Sequence, residues 1–203
     1  MSAVLATVAL SGSGPHGAVV TTVALPRIDA DRSTGRLLVA MPQMPDPRFK
    51  HTVIYMIRHD GTGVLGLVVN RPIATVPLAR LLDQPGLESK GAPGDIRVHW
   101  GGPVGAARAF ALHTSDYVGK GTVSVDATVA VTEDTEILRA IAAGAGPRRI
   151  LFILGYAGWG PGQLEAEIAG GAWAVVPADE ALVFGDDYDE KWEKAMARRV
   201  IRL

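Results

Sequence analysis

Arg149 to Asp179, RILFILGYAGWGPGQLEAEIAGGAWAVVPAD, holds a strand, a glycine-rich corner, a helix and a second strand in one continuous stretch. Ile150 to Leu154 is an unbroken apolar run of the kind that strands buried on both faces show. It stops at Gly155-Tyr156-Ala157-Gly158-Trp159-Gly160-Pro161-Gly162. Pro161 suits a first helical position, where the missing N–H costs nothing, and the stripe Gln163, Leu164, Glu165, Glu167, Ile168 then predicts a helix ending at Gly170 or Gly171. A second apolar stretch follows around Trp173.

Working outward, the rest of the chain is strand-rich early and gains helices later. Leu37 to Met41 predicts a short strand ended by Pro42, and Pro45 and Pro47 hold the next loop extended. Val53, Tyr55 and Ile57 alternate with Ile54, Met56 and Arg58, Asp60-Gly61 is a hairpin signal, and Val64 to Val69 is continuously apolar. This pair is expected at the centre of a sheet. Ala109 to His113 alternates, and Val123 to Val131 offers one or two short strands. A short helix is expected near Val76 to Asp83. A second spans Glu133 to Ala143, with Thr132 as its cap and acids in its first turn. The last helix carries Trp192, Met196 and Val200 on one face and a Glu190–Lys194 ion pair, and its terminal arginines Arg198, Arg199 and Arg202 suit the negative end of the dipole. The class read from this order is α+β: a single compact domain with a mixed, largely antiparallel β-sheet and flanking helices. Residues 33–203 are assigned to that domain and 1–32 to a flexible N-terminal extension.

Composition narrows the function classes. The chain has 203 residues, 20 Lys and Arg against 21 Asp and Glu, and no cysteine. The net charge of −1 provides no overall field for phosphate backbones, so nucleic acid is a disfavoured partner. Thiolate metal sites and cysteine nucleophiles are ruled out. No apolar run reaches the ~18 to 20 residues that span a bilayer. Ala3 to Leu10 lacks the basic flank of a secretory signal, so the expected location is cytoplasmic and no membrane partner is expected. Gly12, Gly14 and Gly17 spell a dinucleotide-loop pattern. They are followed by the β-branched run Val19 to Val23 instead of a helix, and Pro15 interrupts them, so the pattern implies no nucleotide.

Candidate site residues cluster at three bends. Asn70-Arg71-Pro72 ends the central strand, and Pro72 keeps Arg71 extended, with a guanidinium suited to a carboxylate or phosphate. His99-Trp100-Gly101-Gly102-Pro103 is a second glycine turn. In the third, Tyr156, Trp159, Gly160 and Gln163 surround free amides at a helix start, which can hold an anion while the aromatics cover an apolar part. Each bend also has a plain structural reading: glycines for a corner, aromatics for the core, an arginine as a loop fastener. A hydrolase elbow is excluded, because no serine stands between the glycines. The histidines His16, His51, His59, His99 and His113 show no helical metal spacing, and nothing calls for a metal or cofactor. Gly119-Lys120-Gly121-Thr122 misses the phosphate-loop pattern and reads as a surface turn.

The corner, together with Met41 to Asp60, Gly66 to Pro72 and His99 to Val104, resembles the bacterial YqgE/AlgH family, and the matching blocks run from about Gly35 to the C-terminus. The chain departs from the family pattern in its N-terminal extension and in Gly170-Gly171 before Trp173. The resemblance implies the same α+β class, no established biochemical activity, and a description of members as transcriptional regulators. No helix-turn-helix is legible here. The expected function is a binding or regulatory module whose three bends form a cleft for a small anionic ligand or peptide. The alternatives are a transcriptional regulator that contacts DNA directly or through a partner, and an enzyme using His99 or Glu165 as a proton carrier. Neither the catalytic residues nor the oligomeric state is legible in the sequence.

Overall fold

The apolar runs become strands in the computed structural model, which describes residues 33–82 and 94–199. In chain order the elements are β1 (Arg36–Ala40), β2 (Val53–Asp60), β3 (Gly63–Val68), β4 (Pro72–Pro77), α1 (Leu78–Leu82), β5 (Asp95–Trp100), β6 (Val104–Thr114), β7 (Thr122–Ser124) and β8 (Val129–Thr132), followed by α2 (Glu136–Ala142), β9 (Ile150–Trp159), α3 (Gln163–Ala169), β10 (Trp173–Pro177), α4 (Glu180–Phe184) and α5 (Lys191–Met196). A 3-10 turn at Pro47–Phe49 is capped by Asp46, whose side chain accepts from the Arg48 amide. The extension 1–32, with its glycine pattern and His16, lies outside the described residues, as do Asp83, Val200 and Arg202.

The sheet runs β10-β1-β2-β3-β9-β6-β8-β7, with β5 beside β9 and β4 beside β5. Every pairing is antiparallel except β5 with β9, where Val98–Trp100 align with Phe152–Leu154. The sheet is therefore mixed and largely antiparallel, and with its short helices it makes one compact α+β domain. Every β3 residue is buried, in line with its continuous apolar sequence and its place between β2 and β9. One face packs Leu37, Tyr55, Leu67 and Phe110 against Leu182, Val183 and Phe184 of α4 and Ala195 of α5. The other packs Leu38, Ile54, Met56, Trp159 and Trp173 against Leu164 of α3 and Met44. A third cluster joins Leu78 and Leu82 of α1 to Leu138 of α2 and Ile96.

Several boundaries differ from expectation for identifiable reasons. Glycine does not end β9: the strand continues through Gly155 to Trp159, with Gly155 at a φ of 73° where the β6 register shifts between Val104 and Ala109, and the pairing resumes at Tyr156. The corner proper is Gly160–Gly162, and α3 begins at Gln163, one residue after a left-handed Gly162. Thr132 belongs to β8 and caps nothing, since the Asp134 carboxylate accepts the Glu136 amide. Val76 lies in β4, an edge strand bracketed by prolines. A bulge between Met56 and Arg58 shifts the register of β2, so Arg58 pairs with Leu65 and the simple alternation stops at Met56. The expected Glu190–Lys194 ion pair forms at 3.0 Å, and Arg198 reaches Asp179 at 2.6 Å.

The connection from β5 to β6 positions the site. β5 lies on one side of β9 and β6 on the other, so the chain must cross β9 between Trp100 and Val104. It crosses at Gly101–Gly102, where a Cβ on Gly102 would overlap the Tyr156 carbonyl and one on Gly101 the Gly155 carbonyl. Backbone hydrogen bonds fix the crossing. The Gly101 N–H donates to Leu154 O at 2.8 Å, the Val68 N–H to Gly101 O at 3.0 Å and the Trp100 N–H to Arg71 O at 2.9 Å. Two of the bends, Asn70–Arg71 and Gly101–Gly102, thus meet beside Gly155–Ala157 of β9.

Candidate functional site: an aromatic groove at the end of β9

Asn70 and Arg71 are engaged with the loop that precedes β2. The Asn70 carboxamide accepts from the Val53 N–H at 2.9 Å and donates to His51 O at 2.8 Å, which holds His51 at its left-handed φ of 55°. Arg71 donates to Lys50 O at 2.6 Å, and its guanidinium lies 5.7 Å from the centroid of the Trp100 ring. Gly101 and Gly102 are buried under the crossing described above.

From Trp100 a row of rings leads to the corner: Trp100 to Phe49 at 6.0 Å, Phe49 to Trp173 at 5.5 Å and Trp173 to Trp159 at 5.8 Å between centroids. One carboxylate organises its far end. Glu167 Oε2 accepts from the indole N–H of Trp159 at 3.0 Å and of Trp173 at 2.8 Å, and Oε1 accepts from the Gln163 amide at 2.9 Å. Gln163 in turn accepts from the Gly160 N–H at 3.1 Å. Above this frame lies a groove of about 540 Å³, lined by Met44, Phe49, Trp159, Gln163, Glu167 and Trp173 among others, with the Asp46–Arg48 ion pair on its rim. The Arg48 guanidinium, bonded to Asp46, holds that carboxyl below its usual range. Trp159, Gly160 and Gln163 of the sequence reading therefore come together here, and Arg71 stands at the opposite end of the same aromatic row. Sequence reasoning missed Phe49, Glu167 and Trp173. Glu167 carried the one usable signal, its i,i+4 spacing from Gln163.

Tyr156 sits elsewhere. The kink at Gly155 reverses the strand's alternation, so Tyr156 packs toward Phe110 and the α4–α5 face while Trp159 belongs to the α3 face. Tyr156 lines a second cavity of about 360 Å³ together with Arg58, Leu65, Val104 and Arg108. Arg108 is held by a bidentate pair with Glu133 at 2.7 and 2.9 Å.

His99 is fully buried, and neither ring nitrogen has a hydrogen-bond partner among the described residues. Its ring faces Tyr188 at 5.2 Å. Burial pushes its pKa down to about 4, and the charges of Lys191 and Arg97 act in the same direction. His99 is therefore neutral at pH 7. Because the unfolded chain takes up this proton near pH 6.5 and the folded chain only near 4, the His99 contribution to stability is whole above pH 6.5 and is lost as pH falls toward 4. The loss is about 3 kcal/mol. Denaturant titrations of the parent and of His99→Phe between pH 7 and 4 should show a shallower decline in the variant; parallel curves would contradict the burial account. Glu165, the other proton carrier considered, lies with Oε1 2.8 Å from Nε2 of the buried His59. Among the described residues, no group of three or more His, Asp or Glu side chains converges as a metal ligand set. No helix among them is long and apolar enough to cross a membrane.

Comparison with known proteins places this architecture. The AlgH-like family model matches residues 37–203. A UPF0301 protein of Rhodospirillum rubrum is 48% identical over 165 residues, which cover 81% of this chain and 86% of the relative. One of Methylococcus capsulatus is 44% identical over 172 residues, covering 85% and 93%. The solution structure of the AlgH protein from Pseudomonas aeruginosa superposes with a TM-score of 0.69 at 39% identity, covering 83% of this chain and 89% of that one. A protein of Corynebacterium diphtheriae shares the fold, with a TM-score of 0.64 at 21% identity and coverage of 83% and 88%. Matched along nearly all of its described sheet and helices, the chain belongs to the AlgH-like family.

Proposed function

We propose that this protein is a cytosolic binding module whose site is the aromatic groove at the end of β9. Its ligand is a small anion with an apolar body, or a peptide side chain with a nearby carboxylate. One observation carries the reading: Trp159, Trp173 and Phe49 line an open groove while both indole N–H groups are already satisfied by Glu167, which leaves a preformed apolar surface. The anionic end would meet Arg71, which stacks on Trp100 one ring beyond the groove, or Arg48 on the rim. Neither cavity is lined by His99 or Glu165, so the enzyme reading draws less support.

The aromatic anion 1-anilinonaphthalene-8-sulfonate is a suitable probe. It should bind saturably at one site, and Phe49→Ala should weaken binding about tenfold, a loss of about 1.4 kcal/mol. Arg71→Ala should weaken it severalfold. Absence of saturable binding, or an unchanged Kd in Phe49→Ala, discards the groove; an unchanged Kd in Arg71→Ala alone removes Arg71 from the site.

A further inference from the structure

The groove and the second cavity share Val104, Gly158 and Trp159, although they open on opposite faces of β9. What lies between them is a strand edge. Ala157–Trp159 pair with Leu65 and its neighbours in β3 on one side. On the other side the β6 pairing ends at Val104 opposite Tyr156. Pro103, next in line, has no N–H with which to extend the ladder, and the glycines before it have already turned across β9. Gly158 is exposed in the middle of this segment, between the buried Ala157 and Trp159. Among the described residues, no strand pairs with this edge.

The two cavities differ in chemistry. The one on the α3 face is walled by Trp159, Trp173, Phe49 and Met44. The one on the α4–α5 face is lined by Arg58 and Arg108 beside Tyr156, with no acid in its lining. Both arginines hold surface pairs, Arg58 with Asp60 at 3.6 Å and Arg108 with Glu133 at 2.7 Å, and exposed pairs of this kind exchange at little cost. Successive side chains of a β-strand point to opposite faces, so an extended chain added at this edge would send one residue into the aromatic groove and the next toward the arginines.

We propose that the open edge of β9 at Ala157–Trp159 binds an extended peptide by strand addition, with an apolar or aromatic residue seated in the groove and an adjacent Asp or Glu held by Arg58 and Arg108. This inference rests on the groove being a binding site and names its partner class, with the partner's carboxylate on Arg58 and Arg108 in place of Arg71 or Arg48. Main-chain hydrogen bonds supply the affinity, and the alternating pockets supply a sequence preference.

The test is an array of capped hexapeptides, Ser-Thr-X-Z-Thr-Ser, with X drawn from Leu, Ile, Met, Phe, Tyr and Val and Z from Asp, Glu, Ala and Lys, titrated against the full chain and read by tryptophan fluorescence. Peptides with Asp or Glu at Z should bind about tenfold more tightly than their Lys counterparts. Arg58→Gln should erase that preference, with Arg108→Gln as the second variant; because successive strand N–H groups point to opposite sides, an N-methyl group should abolish binding at one of the X and Z amides, the one that faces β9, and be tolerated at the other. Moving Z one residue further from X, onto the same face, should cost the preference as well. Equal binding of the Asp and Lys peptides, or no binding across the array, overturns the proposal. If the sulfonate probe still binds in that case, the groove stands and only strand addition falls; if neither binds, both fall. Concentration-dependent dimerisation that is lost in Val104→Lys would assign the edge to a second copy and would equally overturn the peptide reading.

Discussion

Replacing Gly102 by Val should leave a chain with no cooperative unfolding transition. Gly102 has a φ of 150°, and any Cβ there would overlap the backbone of Tyr156 and Ala157. Backbone cannot rotate away as a side-chain tip can, so relief requires separating β5–β6 from β9, the pairings that hold the middle of the sheet. The strain at φ alone costs on the order of 1–3 kcal/mol. With the overlap the total should exceed about 4 kcal/mol, a large fraction of the stability of an ordinary domain. Gly61 is the control. It lies in the β2–β3 turn with open space where its Cβ would stand, so Gly61→Ala should change stability by less than about 0.5 kcal/mol. Urea denaturation followed by circular dichroism checks both; a folded Gly102→Val with near-parent stability would mean that the chain does not cross β9 as described.

The second large effect is expected at Lys191. The residue is 1% exposed, and its ammonium donates to Val69 O and Val183 O, both at 2.9 Å, while lying 5.0 Å from the centroid of the Tyr188 ring. It thus joins the end of β3 to the end of α4. Lys191→Met keeps most of the packing and removes both donors, leaving two buried carbonyls without their donor at a cost of about 2–4 kcal/mol. Burial lowers the Lys191 pKa to about 8, against attraction from Asp186 and Asp187. An unfolded lysine still holds its proton up to pH 10.5, so between pH 8 and 10.5 the unfolded state binds more protons and the Lys191 contribution to stability rises. The gap between the parent and Lys191→Met should therefore widen over that interval. A constant or narrowing gap would show that the ammonium is not buried as described.

The central sheet was legible because its signals are local. Val64 to Val69 is apolar on both faces because β3 is covered on both, and Asp60 accepts the Thr62 amide at 2.8 Å within the expected turn. The ion pair of Lys194 with Glu190 is likewise a matter of spacing along one helix. What escaped depends on partners distant in sequence. Gly155 reads as a strand end, and only the neighbouring strands β6 and β3 show that the strand continues past it. The groove joins Phe49 to Trp173 and binds the Gln43 amide to Gly171 O, 128 residues away, contacts that no periodicity encodes. The reading of Tyr156 beside Trp159 assumed a loop, whereas a strand places the two on opposite faces. The three bends were expected to converge around Arg71, and the structure brings two of them, Asn70–Arg71 and Gly101–Gly102, into one junction. Its mechanism, a chain crossing sealed by main-chain hydrogen bonds, depends on the order of strands in the sheet.

The indole N–H groups offer the most direct test of the groove. Trp159 and Trp173 both donate to Glu167, whereas Trp192 donates to Ala40 O at 2.7 Å and packs toward the α4–α5 face. Their proton–nitrogen resonances, assigned by single Trp→Phe replacements, can be followed during titration with 1-anilinonaphthalene-8-sulfonate. A groove that binds ligand will shift the Trp159 and Trp173 indoles together, saturably, while Trp192 stays fixed; movement of Trp192 with the other two unchanged would place the ligand elsewhere and contradict the assignment.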